Sequence, residues 1–266
     1  MKRWVVAVLL SWLAIERTDF SLETISAPWI AQRQEAPFSE EVERALAQPY
    51  FYLGKGRQAF VFVSKDGKTV LKFFNRRYIE MPWYAALPLP SSWKEGERAK
   101  RKKRQTFYSE SYPIAEALFK EETGILYVHM GKSEGDLGRV FLKDRASRWF
   151  SVDLNAVPFV LQKRGEPLYP ALNEQNLRAA IDAFSALVAK RISYGIADGE
   201  HDVEHNFGYL DGKVFYFDPG RLFFSEKLQD PEEKRREWGS STHRFRQWLE
   251  REHPEMLTVF DQESFL

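Results

Sequence analysis

Residues 195–221 read Gly195-Ile-Ala-Asp-Gly-Glu-His-Asp-Val-Glu-His-Asn-Phe-Gly-Tyr-Leu-Asp-Gly-Lys-Val-Phe-Tyr-Phe-Asp-Pro-Gly-Arg221. Acidic groups and Asn206 crowd a loop. Two short apolar runs follow, Phe207–Leu210 and Lys213–Phe217, joined by Asp211-Gly212. Asp-Gly between apolar runs is a hairpin signal. The hairpin returns the chain to Asp218, which ends a strand directly before Pro219-Gly220. An Asn and an Asp brought together this way offer oxygen ligands to Mg²⁺, which takes its remaining ligands from phosphates and water.

Just upstream lies the most regular helical pattern of the chain, Asn173–Ile192. Leu177, Ala180, Ile181, Phe184, Leu187, Val188 and Ile192 recur at three and four. Gly195 follows, where a helix C-cap favours glycine. Further upstream, Tyr50–Leu53, Phe60–Ser64 and Thr69–Phe74 read as strands, the last two joined by Lys65-Asp66-Gly67-Lys68. Gly54 and Gly56 fall between the first two, where glycine lets backbone amides approach an anion. Lys72 is a lone cation in an apolar strand, and a buried ammonium calls for an anionic partner. Trp93–Glu122 is helical, with Pro113 expected to divide it. Gly124 ends that region. Ile125–Met130 and Pro158–Gln162 read as strands, and helices return after Asp230. The expected class is α+β, with a boundary near Gly165.

Composition narrows the chemistry. The 266 residues contain 39 Lys+Arg and 38 Asp+Glu, a net charge of +1, which argues against a dedicated nucleic-acid binder. There is no Cys, so disulfides, thiolate metal sites and cysteine nucleophiles are excluded. Lys2-Arg3 precedes the apolar run Trp4–Ile15, which is short for a membrane span. Two readings stand open for residues 1–15: a signal or membrane-proximal segment, or a helix packed on the domain. The first implies export or membrane contact, the second leaves the protein cytoplasmic. Residues 16–48 form an extension with a helix near Ser39–Ala47, which Ser39 can cap. His201 and His205 invite a zinc reading but lack a third ligand nearby.

Together these segments resemble the protein-kinase-like family, as a compact and divergent member. Gly54-x-Gly56-x-x-x-Phe60-Val-Phe62 is similar to the Gly-rich loop and Val70-Leu-Lys72 to the strand-three lysine. Asn206 and Asp218-Pro-Gly220 are similar to the catalytic-loop Asn and the metal-binding Asp-Phe-Gly motif. Pro158–Gly165 would be strand five and the hinge, with Gln162 among the nucleotide-binding residues. The resemblance implies a two-lobe fold with a β-rich N-lobe (49–165) and a short, mostly helical C-lobe (166–266). It implies ATP between the lobes, Mg²⁺ on its phosphates, and phosphoryl transfer to a protein or small-molecule acceptor.

It also implies a helix glutamate paired with Lys72. Glu110 is the first choice, with Glu97 and Glu116 as alternatives. The His-Arg-Asp run of the family is missing. Asp198, eight residues before Asn206, and Asp202, four before it, are both open as the catalytic carboxylate. Asp198 is slightly preferred because it comes first out of the helix. The departures keep three rivals in play: a pseudokinase used as an interaction module, an AMP-transferase on the same fold, and a membrane-tethered structural protein. The basic run Lys100–Arg104 reads as a solvated helix face, or else as a docking site for an acidic partner or anionic lipid.

Overall fold

The computed structural model describes residues 20–26, 38–131 and 137–262. The Trp4–Ile15 run lies outside them. No helix among the described residues is long and apolar enough to cross a membrane. The chain is mixed α and β. It runs α1 (Leu22–Ile25), α2 (Glu40–Leu46), β1 (Tyr50–Lys55), β2 (Ala59–Ser64), β3 (Thr69–Phe74), α3 (Arg76–Ile79), α4 (Ser91–Leu118), α5 (Lys120–Thr123) and β4 (Ile125–His129). Then follow β5 (Arg139–Lys143), β6 (Trp149–Asp153), β7 (Phe159–Lys163), β8 (Glu166–Pro167), α6 (Leu168–Ala171), α7 (Leu177–Ser193) and β9 (Ile196–Asp198). The last part is α8 (Val203–Asn206), β10 (Phe207–Leu210), β11 (Lys213–Tyr216), β12 (Leu222–Phe224), α9 (Pro231–Glu252) and α10 (Leu257–Gln262).

Seven strands form one curled sheet in the order β4-β7-β3-β2-β1-β5-β6. Its pairs are antiparallel except β1 with β5. The strand period of two divides its side chains between two cores. Phe60, Phe62, Leu71, Phe73, Phe159 and Leu161 pack with Ile25 and Val42 of the first two helices. Phe74, Val128 and Val160 pack instead with Tyr108, Tyr112 and Ala115 of α4, and with α7. Each fully buried Phe or Leu contributes about 1.5–3 kcal/mol. Lys72 and Gln162 alternate onto the second face, so β3 and β7 point polar groups towards the helical part.

Two differences from the sequence reading stand out. The helix does not break at Pro113: α4 runs 28 residues through it. An interior proline costs about 3 kcal/mol. Tyr108, Ser111, Tyr112, Ile114 and Ala115 are buried on both sides of it, and that packing holds the helix together. The β5–β6 hairpin was not expected. Phe141 and Trp149 in it are exposed, so its polarity does not alternate as a half-buried strand should. Two local expectations hold. Ser39 caps α2 through Val42 N, and Gly195 takes a left-handed conformation (φ 71) beyond α7. A short ladder of β9 on β12 then fixes the loop that follows.

Candidate functional site

Two adjoining cavities lie where the large sheet meets the β10–β11 hairpin. The first, about 490 Å³, is mostly apolar. Leu53, Val61 and Val70 cover it from the sheet, and Phe215 and Phe217 line it from the hairpin. Gly165 lies against Phe215 so closely that a Cβ there would come within 2.1 Å of the ring. The second cavity, about 320 Å³, is polar. Lys72, Tyr112, Asp202, Asn206 and Asp218 line it, beneath Gly56–Ala59. Lys72, Val61 and Asp218 border both.

The hairpin joins Asn206 to Asp218. The Asn206 carbonyl accepts from Phe217 N at 2.9 Å and Asp218 N at 3.2 Å. The Asn206 side chain donates to the Glu200 carbonyl at 3.1 Å. Lys72 is buried and donates to the Phe217 carbonyl. Burial pulls its pKa below the usual lysine value, and the nearby Asp218 charge works in the other direction. The Tyr112 hydroxyl donates to Asp218 Oδ1 at 3.4 Å. Asp202 is ion-paired to Arg244 at 2.9 Å and hydrogen-bonded to His205 Nδ1 at 3.1 Å. Partial burial opposes the charge on Asp202, but His205 and Arg244 outweigh it and hold the carboxyl below the usual aspartate range.

The preference for Asp198 over Asp202 is corrected by this geometry. Asp198 lies in β9, is buried, and does not line either cavity. Its two oxygens accept from Tyr216 Oη and from Glu200 N (2.8 Å). Desolvation raises its pKa, with Arg191 and Tyr216 pulling it back. Its backbone N–H donates to Glu237 at 3.0 Å, and Glu237 also binds the buried Arg191 at 2.8 Å. Asp198 therefore anchors the loop from below, and of the two aspartates Asp202 is the one that lines the polar cavity, with Glu200 and Asp218 also bordering it.

The expected Lys72–Glu110 pair does not form. Glu110 is exposed on α4 and lines a different cavity with Arg57 and Arg104. Glu97 pairs with Lys100 and Arg101, and Glu116 borders neither cavity. The α4 side chain that reaches the site is Tyr112. Helical period alone cannot distinguish it from a core tyrosine, so sequence reasoning missed it. Gln162 borders the apolar cavity, as expected of a residue beside a bound base, while its buried side chain donates to the Thr123 carbonyl and ties β7 to the end of α5.

Gly54 borders the apolar cavity and Gly56 the polar one. Neither has a positive φ, and nothing lies within 4 Å of a Cβ built on Gly54. Nothing in the fold itself thus requires glycine at 54. The two histidines face different carboxylates, His201 towards Glu237 (3.5 Å) and His205 towards Asp202, so they do not share a zinc ion. Neither the protein-family models nor the curated proteins give a match to this sequence.

Proposed function

We propose that the protein is a kinase-like phosphotransferase that binds ATP and Mg²⁺ between a β-rich N-terminal lobe and a shorter helical one. The observation that carries this is the convergence of Lys72, Asn206 and Asp218, from β3, α8 and the end of the β10–β11 hairpin, on one polar cavity. An apolar cavity opens beside it, and the Gly54–Gly56 turn borders both. An aromatic and aliphatic slot next to a lysine and two oxygen ligands suits a nucleotide base and its phosphates.

The residues present fit a hard divalent cation. Asn206 supplies an amide oxygen and Asp218 a carboxylate, and Mg²⁺ characteristically completes its shell with substrate phosphates and water. When bound, the ion would neutralise charge on the phosphates. Lys72 would contribute a fixed positive charge there, in a site dry enough for it to count. Asp202 would accept the proton of an attacking hydroxyl. The hydroxyl oxygen forms a bond to the γ-phosphorus as the bond to the β–γ bridging oxygen breaks, and ADP leaves. The Arg244 ion pair and the His205 hydrogen bond keep Asp202 ionised for that task.

One observation favours a second reading. Lys72 binds a backbone carbonyl where the family uses a helix glutamate. A pseudokinase that holds nucleotide without transferring phosphate accommodates that substitution. Incubation with ATP labelled separately on its α- and γ-phosphates separates the possibilities. Recovery of γ-label in product supports phosphoryl transfer. Recovery of α-label points to AMP transfer, and no labelled product to the pseudokinase.

A further inference from the structure

A third cavity, about 680 Å³, lies on the other side of the Arg57–Gln58 turn. Arg57, Lys100, Lys103, Arg104 and Arg221 line it, against the single carboxylate Glu110. Some of this charge is met locally. Glu200 pairs with Arg221 at 3.1 Å and with Arg57 at 3.5 Å, and Glu97 pairs with Lys100 at 3.0 Å. Lys103 and Arg104 form no ion pair among the described residues. Arg104 is held instead by the Tyr78 carbonyl (3.1 Å) and by that residue's ring, and Lys103 lies over Phe107. The basic run of the sequence therefore does not simply face solvent. Spaced three and four apart, Lys100, Lys103 and Arg104 share one side of α4, and that side meets Arg57 and Arg221 from two other elements.

This cavity adjoins the polar one. Arg57 and Gln58 border both. Gly220 lies between them: a Cβ there would be 3.0 Å from Gln58 Oε1 and 3.1 Å from Asp218 Oδ1. A molecule seated among the five cations is therefore one residue's width from Asp218 and the Asp202 cavity. A concave site with an excess of cations, two of them unpaired, favours an anion, and guanidinium groups favour phosphate.

We infer that this cavity holds the phosphate of a phosphate-bearing hydroxyl compound, which is the acceptor. Its anion would sit among Lys100, Lys103, Arg104 and Arg57, and its free hydroxyl would extend past Gly220 to Asp202. The inference rests on the phosphotransfer reading for the word acceptor, but not for the anion site. The phosphate ester has two natural sources, a soluble metabolite or a lipid headgroup.

The test uses the full chain and its Lys100→Glu/Lys103→Glu variant, both positions being exposed. Glycerol 3-phosphate with glycerol as control is scored by thermal shift. Phosphatidylcholine vesicles carrying phosphatidylinositol 4-phosphate, a phosphate monoester with free ring hydroxyls, are scored by sedimentation, with plain phosphatidylcholine vesicles as control. The site predicts binding of at least one phosphate ester and of neither control. It predicts roughly tenfold or greater weakening in the double variant, as loss of charge-assisted bonds requires, with Mg²⁺–ATP stabilisation retained. Lys103→Gln should fall between the two. Response to the soluble ester or to the vesicle identifies the source. No binding of either ester, or equal binding by the variant, overturns the site. Ester binding without any stabilisation by ATP overturns the acceptor role and leaves an anion site alone.

Discussion

Lys72 donates a hydrogen bond to the backbone carbonyl of Phe217, 145 positions away and directly before Asp218. This ties the cation of β3 to the strand end that delivers the acidic group. The tie has no acidic partner on α4. Replacing Lys72 by Met removes a desolvated ammonium and one hydrogen bond together, and the two effects largely cancel. Stability should change by no more than about 1 kcal/mol. Stabilisation by Mg²⁺–ATP should disappear. Glu110→Ala should leave both unchanged. Differential scanning fluorimetry on the three proteins checks this, and a loss of ATP response in Glu110→Ala would restore the rejected pairing.

Asp198 and Asp202 should separate cleanly. Asp202→Asn keeps the shape of a cavity-lining group and removes its basicity. Turnover should fall on the order of 10²- to 10⁴-fold, the usual range for a general base, with ATP binding intact. Asp198→Ala strips the partners of Tyr216 Oη and Glu200 N from a buried place. It should cost about 2 kcal/mol of stability. Denaturant unfolding and initial rates, measured on both variants, distinguish the roles.

Gly165→Ala places a methyl group within 2.1 Å of Phe215 Cε1 and 2.9 Å of the Tyr209 carbonyl. The ring lines the apolar cavity, so displacing it disturbs that wall. Overpacking of this kind costs about 1–3 kcal/mol. Nucleotide affinity should fall with it, while Gly54→Ala, which meets nothing in the fold, should leave stability unchanged. Titration calorimetry with ATP on both variants reads the difference.

Glu237 gives the fold a defined acid limb. Burial opposes its charge, but His201, Arg191 and the Asp198 amide hold its pKa at about 2, against the ordinary 4.5. A depressed carboxylate stabilises the native state above the unfolded value, and that stabilisation is lost as pH falls from 4.5 towards about 2. Asp198, whose pKa is raised, contributes with the opposite sign. Glu237→Gln should be less stable at pH 7 by about 3 kcal/mol, since Arg191 then lies buried without its counter-ion. The gap between variant and wild type should narrow across that acid window. Unfolding curves recorded over the pH range show whether it does.

Much of the frame was legible in local signals. Asp66-Gly67 and Asp211-Gly212 mark hairpins because the turns they join need residues that tolerate positive φ, and Gly67, Asp211 and Gly212 adopt it. The apolar stripe of α7 follows the helical period, and its buried face is that stripe. What was hidden depends on distant partners. The β5–β6 turn uses Ser147 at φ 65, where glycine would have announced it. Pro113 reads as a breaker, yet tertiary burial on either side overrides it. Arg191 and Glu237 meet across 46 positions, and no local pattern pairs them. At the site, Asn206 and Asp218 were legible because one hairpin joins them. Tyr112 was not, because its role follows from the way α4 packs on the sheet. Asp198 looked suitable by its place in the chain. Its pairing in the β9–β12 ladder turns it inward.

The most direct test is thermal stabilisation by ATP, with and without Mg²⁺, on wild type and Asp218→Ala. A ligand that binds only the native state raises stability by mass action, by about 4 kcal/mol at a thousandfold excess over Kd. The proposed function predicts a clear Mg²⁺-dependent rise in Tm for wild type at millimolar ATP, and its loss in Asp218→Ala. The absence of any rise in wild type, or an equal rise in both proteins, would contradict a nucleotide site built on Asp218.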